Sequence, residues 1–353
     1  MTSSDRPRIF GTGLVALDLV LGPDPQSSVR SWAGGTCGNV LAILAFLGWE
    51  AFPVARMNGD QASQRVRADF GHWGMFLDFA SCEPTANTPI VIQEIGRGRN
   101  GKPRHRFSWS CPKCGKWLPT YKPVWKTATE TVAHSMMNVS VFFFDRLSHA
   151  ALSLAKIAAE RGAVVVFEPS GRGTKNLMAE AIRLAHIVKY SDQRMAGVNG
   201  VMGNDSSTLL EVQTLGENGL RYRHRFGRLP SKWLYLNAIP VPRLADSCGA
   251  GDWVTAGFLA KSTARGMVQL RRGGAKRIRE ALRYGQALAS WNCGFEGARG
   301  GMYAVNRDAF DSQVAALIAG QLDTDSNPDK ELQPNSIVSC PACPTTGAKL
   351  GHI

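Results

Sequence analysis

Asp246-Ser247-Cys248-Gly249-Ala250-Gly251-Asp252 opens a helical run, Trp253 to Thr263, and its reading decides how the rest of the chain is understood. Gly249 and Gly251 have no Cβ, so their backbone tolerates unusual dihedrals and the close approach of a ligand. Free N–H groups at the start of a helix form an anion site. Asp252, at the end of that cradle, is placed to take a proton from a hydroxyl beside a bound phosphate. Donors for a transferring group (Gly249, Ala250, Gly251) and a base for its acceptor (Asp252) therefore stand side by side, as phosphoryl transfer to an alcohol requires. A glycine loop that merely caps a helix reads the same way locally, and on this loop alone both readings stay open.

Around it, helical and extended patterns alternate for most of the length, the mark of a parallel sheet with crossover helices. Val141-Phe142-Phe143-Phe144 and Ala163-Val164-Val165-Val166-Phe167 read as buried strands, and Leu147, Ala151, Leu154, Ile157 and Ala158 recur between them at helical spacing. This βαβ unit puts Asp145 and Glu168 at carboxyl ends of strands, where open α/β sheets bind ligands. Asp145 there faces a substrate or caps the following helix. Two segments break the alternation: polar Pro23 to Trp32, and Thr88 to Tyr121, which holds alternating strands at Ile90 to Ile95 and His105 to Trp109. Asp323 to Ser336 is polar and proline-containing, a linker by composition.

The glycine loop resembles the D-T-x-G-A-G-D signature of the ribokinase-like (PfkB) carbohydrate kinase family, with Ser247 in place of the usual Thr. Other elements resemble that family in the same order. Gly11-Thr12-Gly13 leads to Asp18, the position of a sugar-binding aspartate. Gly34-Gly35-Thr36-Cys37-Gly38-Asn39 is similar to G-G-x-x-x-N, and Asn58-Gly59-Asp60 to the next G-x-D loop. Thr214-Leu215-Gly216-Glu217-Asn218-Gly219 resembles the T-x-G-x-x-G nucleotide loop, and Ala281 to Gly297 the helix beside adenine. The resemblance runs from about Arg8 to Leu317. It implies a three-layer α/β/α domain with a mostly parallel central sheet over residues 1–322, whose small β lid comes from about 22–33 and 87–122, followed by a 323–353 tail. It implies ATP-dependent phosphorylation of a hydroxyl on a sugar, nucleoside or related polyol. In that reading Asp18, Gly35, Asn39 and Asp60 hold the acceptor; Thr214, Gly216, Gly219 and Asn292 line the nucleotide site; and Mg²⁺ neutralises the transferring phosphoryl. It also brings in a homodimer through the lid as one arrangement.

The family's N-x-x-E is absent after the strand ending near Lys189: the chain has Ser191-Asp192-Gln193-Arg194, and Glu168-Pro169-Ser170 before it. Glu168 or Asp192 then stands in as an oxygen ligand for Mg²⁺. The same gap supports an alternative, a weakened kinase-like module that binds nucleotide or sugar, or contacts nucleic acid through a zinc knuckle.

A formal charge of +13 suits anionic partners such as nucleotides and phosphorylated metabolites. No aromatic-rich RNA-binding signature accompanies it, so nucleic acid is not the expected partner. The longest apolar run, Val40 to Trp49, is too short to cross a bilayer, and the N-terminus lacks the apolar core of a signal peptide; the expected compartment is cytoplasmic. In a reducing compartment close cysteine pairs suggest metal more than disulfide. Cys111-Pro112-Lys113-Cys114 and Cys340-Pro341-Ala342-Cys343 are two C-P-x-C knuckles, expected to share one structural Zn²⁺, with unrelated turns or a redox pair as alternatives. Gly96 to Lys102 matches a P-loop pattern, but Pro103 replaces its Ser or Thr, and a hairpin tip is expected there. The glycines of Gly11-Thr12-Gly13 are read as room for a substrate.

Overall fold

The computed structural model describes residues 6–21, 30–97, 103–112, 114–170, 173–193 and 201–321. In chain order its strands and helices are β1 (Arg8–Thr12), β2 (Ala16–Leu21), β3 (Arg30–Gly34), α1 (Thr36–Phe46), β4 (Glu50–Met57), α2 (Gln61–His72), β5 (Ala80–Cys82), β6 (Ile90–Arg97) and β7 (Pro103–Ser108). There follow α3 (Ala128–Ser135), β8 (Val139–Phe144), α4 (His149–Glu160), β9 (Val164–Phe167), α5 (Lys175–Leu184), β10 (Ile187–Ser191) and β11 (Leu210–Thr214). The last are β12 (Leu220–His224), β13 (Leu234–Leu236), α6 (Ala250–Ser262), α7 (Gly266–Asn292), α8 (Gly300–Ala304) and α9 (Arg307–Ile318).

β8 and β9 are buried at every position, as expected of strands covered on both faces. They form the middle of a nine-stranded sheet, β13-β12-β11-β10-β9-β8-β1-β4-β5, parallel except where β12 and β13 add antiparallel. One core cluster joins this sheet to α1, α2, α6, α7 and α9, and a second joins its other face to α3, α4 and α5. The architecture is the expected three-layer α/β/α. α6 and α7 meet at two glycines: a Cβ on Gly257 would lie 2.7 Å from the Gly285 Cα, so only glycine lets the two backbones come this close.

A second sheet, β3-β2-β6-β7, takes up the two segments that broke the alternation. β2 joins it as well, so Asp18 sits on the small sheet and not on the first strand of the large one. Ser110 and Trp117 pair beyond β7, closing a turn that contains Cys111 and Cys114. The P-loop-like pattern falls between β6 and β7, and its residues 98–102 lie outside the described residues. The apolar run from Val40 belongs to α1, and among the described residues no helix is long and apolar enough to cross a membrane.

Candidate active site

The carboxyl ends of β8, β9, β10 and β11, the amino end of α6 and the inner side of the small sheet enclose a cleft of about 450 Å³. Asp18, Gly35, Asn39, Glu168, Thr214 and the whole run Ser247 to Asp252 line it. Residues far apart in sequence are thus brought to one cavity because parallel strands all end on the same side.

The glycine loop is pinned from below. Asp246 is fully buried and accepts from the Cys248 N–H (2.7 Å), the Gly297 N–H (2.9 Å) and Gln93 Nε2 (3.0 Å). Gly249 is left-handed at φ 73°, and a Cβ there would lie 2.4 Å from the Ala298 carbonyl oxygen. No other residue makes that turn without displacing backbone. α6 starts immediately afterwards, with no side chain capping its first N–H groups. The Ala250 N–H makes a long 3.3 Å bond to the Ser247 carbonyl, and the Gly251 N–H and the positive end of the helix dipole are available to an anion.

Asp252, in the first turn of α6, accepts from Asn39 Nδ2 at 2.8 Å. Arg299 Nε donates to Asn39 Oδ1 at 3.2 Å, which requires the amide oxygen on that side and turns the NH₂ toward Asp252. Arg299 is itself 2 % exposed. Its Nη2 donates to Asp69 Oδ2 (2.9 Å) and to the Ala33 carbonyl, and Asp69 also accepts from the Ala33 N–H (2.7 Å) and the Tyr303 hydroxyl (2.7 Å). A buried ion pair thus sets the polarity of the group that faces the candidate base.

Asp18 lies against Gly34, where a Cβ would come within 1.9 Å of its Oδ2, and receives a long 3.4 Å bond from the Gly35 N–H. Burial pushes its carboxyl up to about 7, against the downward pull of the Gly35 N–H and the Arg299 guanidinium. On the opposite wall Lys189 Nζ pairs with Glu168 Oε2 at 2.9 Å, and Thr255 donates to Glu168 Oε1. Lys189 Nζ is 3.5 Å from where a Gly251 Cβ would be, so a buried cation underlies the glycine cradle. Sequence reading passed over Lys189 and Arg299. A lysine inside the buried strand Ile-Val-Lys-Tyr-Ser is a usable signal, whereas Arg299 has no local one.

Other expected site residues are placed differently. Asp60 caps α2, accepting from the Ser63 N–H at 2.8 Å, and does not line the cleft. Gly216 and Gly219 flank a single 3₁₀ turn beyond Thr214 and do not line it either; a Gly219 Cβ would strike the Leu236 carbonyl at 2.2 Å. Asn292 is fully buried and holds the 297–301 loop through the Gly297 and Ala298 carbonyls and the Gly301 N–H. Asp145 neither caps α4, which Ser148 does, nor opens to the cleft; it accepts from the Leu14 N–H (2.8 Å), Arg146 Nη1 (2.7 Å) and Ser170 Oγ (3.0 Å). Gly13 is glycine to admit that carboxylate, since a Cβ would lie 1.7 Å from Asp145 Oδ1, and Gly11 packs against Leu41 and Cys37. Those two glycines make room for protein, not for substrate.

Metal ligation by Glu168 or Asp192 does not fit the donor set. Both Glu168 oxygens are engaged, and Asp192 is exposed and outside the cleft lining. Among the described residues no three His, Cys, Asp or Glu side chains gather to hold an ion. Cys111 is buried and Cys114 exposed, and Cys340 and Cys343 lie outside the described residues.

The pattern of the family described as pfkB family carbohydrate kinase matches residues 13–303. A curated ATP-dependent ribose-1-phosphate kinase of Halopiger xanaduensis is 23% identical over 338 residues, covering 90% of this chain and 99% of the relative. Among solved structures, fructokinase of Xylella fastidiosa with bound ATP superposes with a TM-score of 0.67 at 19% identity, over 90% of this chain and 99% of that one. Aminoimidazole riboside kinase of Salmonella enterica, complexed with its riboside and an ATP analogue, gives 0.62 at 19% identity, over 87% and 99%.

Proposed function

The chain belongs to the pfkB family of carbohydrate kinases, and from that premise we propose that it transfers the γ-phosphoryl group of ATP to a hydroxyl of a sugar or nucleoside, with Asp252 as general base. The observation that carries this reading is the Asn39–Asp252 hydrogen bond under the polarity set by Arg299. The N–H donor holds that carboxylate in place on the cleft wall, where it can accept a proton. The acceptor oxygen bonds to the γ-phosphorus as the bond to the β–γ bridging oxygen breaks. The hydroxyl proton passes to Asp252, and ADP departs with the bond's electron pair.

Charge on the transferring group meets the first N–H groups of α6, from Gly249, Ala250 and Gly251, with Lys189 beneath them. Such donors act without reorganisation because the loop is already fixed by Asp246. Asp18, Gly35 and Asn39 hold the acceptor, and Thr214 with Ser191 faces the nucleotide. Mg²⁺ arrives with ATP, carried by its phosphates; among the described residues no cluster of side chains cages it. A zinc shared by Cys111, Cys114, Cys340 and Cys343 belongs to the same reading, with one ion per chain expected on metal analysis and release on Cys→Ser in either pair.

ATP consumption measured against a panel of sugars, nucleosides and polyols tests the proposal. ADP formation that depends on one acceptor class is the expected result. Nucleotide binding with no acceptor-dependent turnover would replace it with the binding-module reading, which the missing N-x-x-E favours. The acceptors named for two relatives, ribose-1-phosphate and aminoimidazole riboside, differ in charge and leave that property of this chain's acceptor open.

A further inference from the structure

Arg146 and Lys189 are the cationic side chains among the described residues lining the cleft, one just after β8 and the other on β10, the two strands that flank β9. Lys189 is on β10, beside Ser191 and Thr214, and both its charge and its position belong to the glycine cradle. Arg146 follows β8, which adjoins β1 in the sheet, and its neighbour Asp145 accepts the N–H of Leu14, itself a cleft residue. That is the end occupied by Asp18 and the small sheet.

Both hydrogen bonds of Arg146 within the described residues run through one nitrogen, Nη1, to the Asp145 carboxylate (2.7 Å) and carbonyl (3.2 Å). Its Nε and Nη2 have no protein partner there, and neither is sealed from solvent. The side chain is nonetheless only 19% exposed, so the guanidinium is held in place with one edge open. Asp145 does not need that edge, because Leu14 and Ser170 also donate to it. A fixed guanidinium edge with two parallel N–H donors matches a carboxylate or phosphate better than a neutral hydroxyl array. Trp109, packed with Tyr121 on Leu14, Ala16 and Val91, walls the same end and limits access of water.

We propose that the acceptor is an anionic sugar derivative, whose phosphate or carboxylate docks on the Nε–Nη2 edge of Arg146 while its hydroxyl faces Asp252. This assignment rests on the kinase reading and narrows its substrate class. Lys189 is excluded as the anchor for that anion, because it lies beneath the cradle that receives the transferred group.

The full-length enzyme is assayed with ATP and three acceptor classes: neutral pentoses and hexoses, their monophosphates, and the corresponding sugar acids. One anionic class should exceed its neutral parent at least tenfold in kcat/KM, and which one identifies phosphate or carboxylate as the docked group. Arg146→Met should reduce that ratio at least tenfold, acting on KM for the acceptor more than on KM for ATP. Arg146→Lys, which keeps the charge but not the two-pronged edge, should restore only part of the preference. Neutral acceptors preferred by the wild type, a preference undiminished in Arg146→Met, or an effect confined to KM for ATP would each overturn the proposal. Should no acceptor of any charge be phosphorylated, the kinase reading falls. Calorimetric binding of a sugar monophosphate and a sugar acid to wild type and Arg146→Met then still decides the role of Arg146: affinity for either that drops at least tenfold upholds it, and equal affinity or no binding rejects it.

Discussion

On the proposed acceptor side of the cleft, Asp252, Asn39, Arg299 and Asp69 form a continuous line of hydrogen bonds, each member fixed by the next. On the proposed nucleotide side, Ser191, Gln193 and Thr214 line the wall at strand ends, with the Lys189–Glu168–Thr255 cluster under the cradle and Tyr190 held by Glu211. The departure at Ser191-Asp192-Gln193 falls on this second side, whereas Ser247 is a conservative change within the glycine loop. Buried ionic groups reward exact pairing and punish its loss, so the acceptor side tolerates little variation. A nucleotide that brings its own charges and metal asks less of the protein.

The largest effect that would test this contrast is on the base. Asp252→Asn should lower kcat by roughly 10²–10⁴-fold or more, while calorimetry finds ATP still bound. Turnover near the wild-type rate would break the acceptor-side account outright. Next comes Arg299→Met, which removes one partner of a buried pair and should cost about 3–5 kcal/mol of stability. It also frees the Asn39 amide to turn its oxygen toward Asp252, so the acid limb of the kcat/KM profile should move to higher pH. Tyr303→Phe is the control: it takes a hydrogen bond from Asp69 without touching Asn39, and should lower Tm while leaving the acid limb in place. If both variants shift only Tm, Arg299 is structural.

Lys189→Met sharpens the other half of the comparison. Loss of one donor to developing charge costs about 10²-fold in turnover, and the deficit should appear in kcat/KM for ATP. An effect limited to the acceptor's KM would mean that the two ends of the cleft are wrongly assigned. The smallest effect concerns Asp18, which takes up its proton near pH 7 when folded and near 3.8 in an ordinary exposed setting. The folded chain holds that proton more tightly, so this contribution to stability is complete below pH 4 and is lost as pH rises through 7. Asp18→Asn should therefore gain Tm relative to wild type at pH 8 and less so at pH 5. Equal differences at the two values would show that Asp18 titrates normally.

The layered fold was legible because its signals are local: fully apolar runs for β8 and β9, helical spacing for α4, and a glycine loop ahead of α6. The structure gathers Asp18 from β2, Gly35 and Asn39 from the start of α1 and Asp252 from the start of α6, all within motifs whose spacing made them candidates. It does not gather Asp60 or Asn292, whose short polar side chains suit a helix cap or a loop clamp as well as a ligand. Arg299 was illegible for a different reason. Its partners, Asn39 and Asp69, lie 260 and 230 positions away, and nothing in a linear pattern registers such a bond. Gly13 misled because an empty Cβ position reads the same whether a ligand or an aspartate fills it.

The bond from Asn39 to Asp252 spans 213 positions, and the one from Arg299 to Asn39 spans 260. At about 5–20 residues per second, a ribosome that has just made Asn39 needs roughly 13–50 s to reach Arg299. Throughout that interval Asn39 lacks the guanidinium that fixes its amide. The proposed acceptor side of the cleft is therefore completed only once Arg299 has been made.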